Sequence, residues 1–363
     1  MDFSTSENYS AVADLASDIF NGEVGDGYHS AFEDSGEPFD RALWQTLSEA
    51  GLVALCIEER FGGSGFGMEE LAGVLEAQGR VLAPVPLLVN SLAAMAVQQY
   101  DGEGLGKTLL EEVAAGRMIL SLALDDSRPR YDGSVLSGRA QDVPFTGVAD
   151  GLVIAADRED DEPVLVYVSA DQDGLQIMPQ RSTSGEPRDI VEFADCRIEP
   201  GQVIASGNTA LEWVKQRTLT ALSAMQLGVS TAALEQTVTY AGERKQFGRP
   251  IASFQAVTHR AADGYVDCEA LRSVVWQAAW RLSAGLDAAV ESRSAKWWAA
   301  ETGHRTAHTA QHLHGGIGSD RDYPIHRYFL ASKQIEFSLG GARAQLADTG
   351  RVLADRMDTG VRV

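Results

Sequence analysis

Three segments combine residue types and spacings that suit chemistry. The first runs Tyr240-Ala241-Gly242-Glu243-Arg244-Lys245-Gln246-Phe247-Gly248-Arg249-Pro250-Ile251 and continues to Phe254-Gln255. A helix is expected to end near Lys245, because Phe247-Gly248 can turn the chain and Pro250 forbids helical continuation. Arg244 then stands at a helix end beside an exposed loop, and its planar fork suits a diphosphate. An ordinary helix–loop–helix corner with a solvated arginine has the same spacing. The second segment is His312-Leu313-His314-Gly315-Gly316-Ile317-Gly318. Its glycines allow positive φ and a close approach of backbone to ligand. Backbone N–H groups there suit an anion or an adenine edge. No Gly-Lys-Ser/Thr follows, and helix rather than strand precedes, so neither a nucleotide P-loop nor a GxGxxG fingerprint is present. A plain turn also fits. The third is the ladder His304, His308 and His312, three imidazoles on one helical face. Two of them have zinc or nickel spacing, but no carboxylate ligand and no HExxH accompany them. The reading is a polar helix face or interface, with no metal.

Other chemistries are absent from the pattern. No Gly-x-Ser-x-Gly nucleophile elbow occurs. The pairs Glu58-Glu59 and Glu69-Glu70 stand at helix edges and Gly turns, and read as solvated faces. Cys56, Cys196 and Cys268 are far apart and odd in number, which argues for buried thiols over a disulfide framework or a cysteine metal site. With 30 Lys and Arg against 52 Asp and Glu, the net charge is −22. Such a chain repels nucleic-acid backbones and anionic lipid, so neither is expected as a partner. No run approaches a bilayer span. Met1-Asp2-Phe3-Ser4 lacks the basic and apolar regions of a signal peptide, so a cytoplasmic location is expected.

The elements that must position these residues follow from the pattern. The 363 residues exceed one typical core. Residues 1–117 read as a helical domain, with helices over Phe39 to Ala50, Met68 to Val81 and Leu87 to Gln99. Gly62-Gly63-Ser64-Gly65-Phe66-Gly67, Pro84 and Pro86 punctuate them. Residues 118–206 read as a β domain, with strands at Met118 to Leu124, Leu152 to Ala156, Val164 to Val168 and the alternating Val191-Glu192-Phe193. Polar runs at Asp157 to Glu162 and Gln180 to Arg188 separate them. Residues 207–363 return to helix, with Leu222, Met225, Val229, Ala232 and Ala233 on one face and a long helix from Ala256 to Ala284. A β domain between two helical blocks favours a cleft where the blocks meet.

Taken together, these segments resemble the acyl-CoA dehydrogenase family over nearly the whole chain. Glu58-Glu59-Arg60-Phe61-Gly62-Gly63 is similar to the family's PEEYGG turn. Val191-Glu192-Phe193-Ala194-Asp195-Cys196-Arg197-Ile198-Glu199-Pro200 is similar to its exit from the β domain. Arg244-Lys245-Gln246-Phe247-Gly248, with Pro250-Ile251 and Phe254-Gln255, matches its R-x-Q-F-G-x-P-I-x-x-F-Q signature. His314-Gly315-Gly316-Ile317-Gly318 matches its H-G-G-x-G, about seventy residues further on. The resemblance implies an α+β multi-domain fold: an N-terminal helical domain, a middle β-barrel or sandwich, and a C-terminal four-helix bundle. It implies FAD, an acyl-CoA substrate oxidised between Cα and Cβ, and an electron-transfer flavoprotein or similar acceptor. It also implies a cofactor shared across a dimer, in which one subunit's R-x-Q-F-G and H-G-G segments hold the neighbour's diphosphate and adenosine.

The sequence departs from that family at the chemistry. In one branch the catalytic Glu precedes a Gly between the last two helices; counted from Tyr323-Pro324, that position is Leu339, before Gly340-Gly341. In the other branch it lies about 26 residues before the signature Arg, which falls on Thr218. Neither side chain takes a proton. Glu212 and Glu336 lie near but out of register. The T-E-P-G-A-G-S-D loop is replaced by Asp125-Asp126-Ser127-Arg128-Pro129-Arg130, and the W-I-T-N loop by Asp142-Val143-Pro144-Phe145. His312 replaces the Gln usual before H-G-G. What would serve this chain's own flavin ring is missing, and what would reach a neighbour's FAD is kept. The expectation is a subunit with no catalytic residue of its own. It resembles the non-catalytic chain of the α2β2 acyl-CoA dehydrogenases of bacterial steroid side-chain degradation. A second acyl-CoA dehydrogenase subunit would carry the Glu. This chain would bind FAD through Arg244, Gln246, Phe247, Gln255, His312, Leu313, His314, Gly315 and Gly316. The alternatives are a self-sufficient homotetrameric flavoenzyme with an unusual base, and a flavin-free scaffold subunit.

Overall fold

The computed structural model describes residues 6–125, 127–158 and 162–358. Met1-Asp2-Phe3-Ser4, Asp126 and the middle of the expected Asp157-to-Glu162 turn lie outside the described residues.

Helices fill the first stretch: α1 (Glu7–Glu23), α2 (Tyr28–Ser35), α3 (Arg41–Glu49), α4 (Met68–Val81), α5 (Leu87–Asp101) and α6 (Leu105–Ala114). Short polar side chains start α1 and α3. The Ser6 hydroxyl accepts the Tyr9 N–H at 3.0 Å, and Asp40 accepts from Ala42 and Leu43. Before α4 the chain passes Gly62-Gly63, where a side chain on Gly63 would fall 2.1 Å from the Ile57 carbonyl oxygen. The strands follow: β1 (Leu120–Ala123), β2 (Arg130–Tyr131), β3 (Val135–Pro144), β4 (Gly151–Asp157), β5 (Pro163–Ser169), β6 (Leu175–Met178), β7 (Arg188–Arg197) and β8 (Val203–Ser206). They form one sheet in the order β6-β7-β3-β2-β4-β5-β8, with β1 parallel to β4. β4 and β5 are buried almost throughout, whereas the first six residues of β7 alternate buried and half-buried, as a strand with one covered face should.

The remainder is helical: α7 (Asn208–Glu243), a hairpin of β9 (Lys245–Gln246) and β10 (Arg249–Pro250), then α8 (Gln255–Ser283), α9 (Ala289–His314), α10 (Ile325–Phe337) and α11 (Ala342–Asp358). The chain divides into two compact units. One comprises residues 1–30, 68–83 and 219–363, and the other residues 31–67 and 84–218.

Within the first unit, α4 lies against α1, α7 and α8. Small residues set the approach to α7: a Cβ on Gly79 would fall 2.2 Å from the Met225 carbonyl oxygen, and one on Gly228 would fall 2.0 Å from that of Glu76. Because α4 is enclosed on several sides, the Glu69-Glu70 pair is not the solvated face expected. Glu70 is buried and Glu69 half-buried. Burial, then the neighbouring Glu70, raises the pKa of Glu69. In the second unit, α5 is apolar on all sides and carries one buried amide. The Asn90 oxygen accepts the Leu120 N–H at 2.9 Å and so fixes where β1 begins. Cys56, Cys196 and Cys268 are buried free thiols, as expected.

Candidate functional site

The Arg244 segment is built as a tight hairpin. α7 ends at Glu243, and the Arg244 N–H still donates to the Tyr240 carbonyl at 2.8 Å. Gln246 pairs with Arg249 across a two-residue turn, and both turn residues take left-handed φ: Phe247 at 52° and Gly248 at 79°. Those are the φ signs of a type I′ turn. The Ile251 N–H returns to the Arg244 carbonyl at 2.8 Å, so the corner leading to Gln255 at the start of α8 is closed. Arg244, Gln246, Phe247 and Gln255 therefore share one exposed corner. Phe247 is 93% exposed, with its ring edge-on to Phe254 at 6.2 Å. No carboxylate pairs with Arg244 among the described residues, whereas the half-buried Arg188 and Arg272 hold two carboxylates each. A solvent-facing fork with no counter-ion is free to take an anion.

The glycine turn closes α9. Gly315 has φ 65° and ψ −139°, a conformation open to Gly alone, and its N–H caps the helix on the Gln311 carbonyl. The Gln311 amide ties the turn to Ser319 at 2.7 Å. A Cβ on Gly315 or Gly316 would meet nothing within 4 Å, so their backbone lies open. His312 is exposed and Leu313 half-buried, but the His314 ring is turned inward. It stacks on Tyr240 with centroids 4.4 Å apart and 22° between planes. Tyr323 closes on both, 5.3 Å from His314 and 6.4 Å from Tyr240. The stack joins the end of α7, which carries Arg244, to the end of α9, which carries the glycines. Sequence reasoning missed Tyr240 and Tyr323. Their one signal is placement: Tyr240 lies one turn before Arg244, and Tyr323 just beyond the glycine turn.

The two positions at which the family resemblance puts a base hold no acid. Thr218 is buried and donates to the Val214 carbonyl at 2.9 Å. Beside it, the Arg217 guanidinium lies 3.4 Å over Trp213, Tyr100 meets Trp213 edge-on, and burial lowers the Arg217 pKa to about 10. Leu339 sits in the α10–α11 loop with φ 55°. That loop is held by Gln345, which donates to the Leu339 carbonyl at 2.7 Å, and by the buried Lys296, which donates to Glu336 and Gly340 carbonyls at 3.1 and 3.3 Å. Burial pulls the Lys296 pKa down to about 8, with Glu336 opposing. The nearby acids are engaged. Glu336 pairs with Lys333 at 2.6 Å, and Glu212 accepts from Gln216 at 3.1 Å.

An ion cluster forms around Asp142. Arg188, half-buried, reaches Asp142 at 2.9 Å and Glu186 at 2.6 Å. Burial works against its charge, but the two carboxylates outweigh it and raise its pKa. Asp142 and Phe145 both take positive φ, and Phe145 is buried. Thr146 donates a short hydrogen bond to Asp189. The histidine ladder is exposed on α9. The His304 ring lies tilted against His308 with centroids 4.5 Å apart, and His304 accepts from Lys333 at 2.8 Å. Among the described residues no group of three or more His, Cys, Asp or Glu is placed to hold a metal.

The order of helices, sheet and helices is that of the acyl-CoA dehydrogenase family. A family model described as "Acyl-CoA dehydrogenase, N-terminal domain" matches residues 6–117, and one described as "Acyl-CoA dehydrogenase, C-terminal domain" matches residues 210–354. The chain belongs to that family. It is 35% identical to Acyl-CoA dehydrogenase FadE27 of Mycobacterium tuberculosis, over 98% of this chain and 99% of that protein. It is similar to a chain of the ChsE4-ChsE5 complex from Mycobacterium tuberculosis, with TM-score 0.93 and 36% identity over 98% of this chain and 99% of that one. It is likewise similar to a chain in a variant of the Tcur3481-Tcur3483 steroid ACAD, with TM-score 0.90 and 38% identity over 97% and 99%. The order of N-terminal helices, middle sheet and C-terminal helices is the family's, as expected from the sequence. Among the described residues no helix is long and apolar enough to cross a membrane.

Proposed function

We propose that this chain is the non-catalytic subunit of a heteromeric, FAD-dependent acyl-CoA dehydrogenase, acting on a bulky acyl-CoA such as a steroid side-chain thioester. One observation carries the reading. Leu339 and Thr218, neither of them acidic, stand where the family resemblance puts the base, while the Arg244 hairpin and the Gly315–Gly316 turn are formed and exposed. A chain that had simply decayed would lose both sets alike. The likeness to the ChsE4-ChsE5 complex and to a steroid ACAD of two named components supports an unlike partner and the substrate class.

In this reading the partner supplies the Glu and the contacts to the flavin ring, and electrons leave to an electron-transfer flavoprotein or similar acceptor in the cytoplasm. When bound, FAD supplies the acceptor for a hydride from Cβ of the thioester. This chain's own part is to bind and orient. The Arg244 fork holds the diphosphate, Gln246 and Gln255 donate amide hydrogen bonds, Phe247 gives the adenosine an aromatic face, and the open backbone from His312 to Gly316 supplies its N–H groups. An exposed arginine without a carboxylate and glycines with free space fit an anionic dinucleotide. We also propose residues 1–117, 118–206 and 207–363 as the three domains, since the two matched family models flank the sheet.

The test is native mass with flavin stoichiometry on protein purified from its source cells, repeated with Arg244→Ala. Two unlike chains with one FAD per pair are expected, and loss of a charged diphosphate contact should weaken FAD retention by about 10- to 100-fold. Four identical chains with four FADs would overturn the subunit assignment. Unchanged retention in Arg244→Ala would remove the hairpin from the site.

A further inference from the structure

We infer that Tyr240, His314 and Tyr323 act as an aromatic clamp that sets the spacing between the Arg244 hairpin and the Gly315–Gly316 turn, and so governs how tightly the complex holds FAD. This rests on the reading above, in which both segments touch one dinucleotide. The two are about seventy residues apart in the chain and end different helices. A diphosphate and an adenosine joined in one molecule demand a fixed distance between the groups that receive them.

The clamp is placed to fix that distance. The Tyr240 carbonyl accepts the Arg244 N–H at 2.8 Å, so ring and hairpin move as one turn of helix. His314 is the last residue of α9 and covalently adjoins Gly315. Its ring lies flat on Tyr240 at 4.4 Å, and Tyr323 packs against both. His314 Nδ1 donates to the Ala310 carbonyl at 2.9 Å, which locks the ring's rotation about its own helix. Nε2 then faces inward with no partner among the described residues. A ring that gives up a hydrogen bond in order to stack is serving its faces. The orientation has a second effect: the imidazole is buried between Tyr240 and Tyr323, so His314 is a positioning residue and only its backbone is offered to the cofactor.

The experiment uses the complex purified with its partner and measures FAD dissociation by the return of flavin fluorescence on dilution. Tyr240→Leu and His314→Leu each remove one side of the stack. Each should raise the FAD dissociation constant about three- to tenfold, the worth of one aromatic pair, while Tyr240→Phe keeps the ring and stays within about twofold of wild type. Where Tyr240→Leu fails to assemble, Tyr323→Leu reads the same stack from its third side. The deciding measurement is a cycle with Arg244→Ala. A clamp that works by placing Arg244 leaves that substitution less to remove in the Tyr240→Leu background. Fully additive losses would mean that the stack only stabilises the bundle, and the inference falls. If Arg244→Ala weakens FAD but the Leu variants match wild type, the clamp is wrong and the FAD reading stands. If Arg244→Ala itself has no effect, the FAD reading fails first.

Discussion

Phe247 is built against its own stability. A phenylalanine at φ 52° carries backbone strain, and the residue is 93% exposed. A type I′ turn prefers Asn there. Phe247→Asn should therefore stabilise the chain by about 1 kcal/mol in urea unfolding while weakening FAD retention in the complex. A gain in stability with unchanged flavin binding would show the aromatic tip to be idle. Lys296 makes the opposite trade inside the fold. It is fully enclosed, with an ordinary pKa of 10.5 brought to about 8 by burial. The folded-state pKa is the lower one, so below pH 8 the group is protonated folded or unfolded and adds no pH dependence. Between pH 8 and 10.5 the unfolded chain binds the extra proton, and stability from this group rises with pH by about 3 kcal/mol in all. The difference in unfolding free energy between wild type and Lys296→Met should move in favour of wild type across that window. A flat difference would mean that the carbonyls of Glu336 and Gly340 hold the ammonium charged.

At the scale of elements, the crossing of α4 and α7 is set by absent side chains. Gly228→Ala would drive a Cβ into the Glu76 carbonyl, which is backbone and cannot rotate away. Separating the helices should cost about 1–3 kcal/mol, read as a lowered thermal midpoint. A neutral result would mean that α4 shifts freely. Such elements were legible where local pattern decides them. The helix expected over Met68 to Val81 has those bounds, and the expected turn after Lys245 is the Phe247-Gly248 turn. Contacts between segments distant in the chain were not. The Arg188–Asp142 pair spans 46 residues, and the stack of Tyr240 on His314 spans more. No local period encodes such meetings. Lys296 was missed for a different reason. A lysine reads as surface, and only the small residues around it, Ser292, Ala295, Ala299 and Ala300, signal an enclosed face.

At the scale of the whole molecule, the family's plan was readable because its motifs are spread over the entire chain in a fixed order. The assignment to a pair of unlike chains rests on what those motifs retain and what they lack. A homotetramer built from Leu339 and Thr218 alone would hold FAD without a carboxylate at either base position. Under the proposed function, one FAD per two chains would be the arithmetic of a division of labour, with the proton acceptor on one subunit and the grip on the other. The charge of −22 fits that proposal, since the groups proposed to hold the diphosphate are confined to two local segments and so acidic a chain gives anions no general attraction.

The turn at Leu339 preserves a different kind of information. A branched aliphatic residue is poorly suited to φ 55°, yet the loop keeps that shape, with Gly340 at φ 92° beside it and Lys296 and Gln345 gripping its carbonyls. On the reading proposed above, the shape of this loop depends on its carbonyls and on a glycine, and not on the side chain at 339. A carboxylate placed at that position would meet a turn already formed.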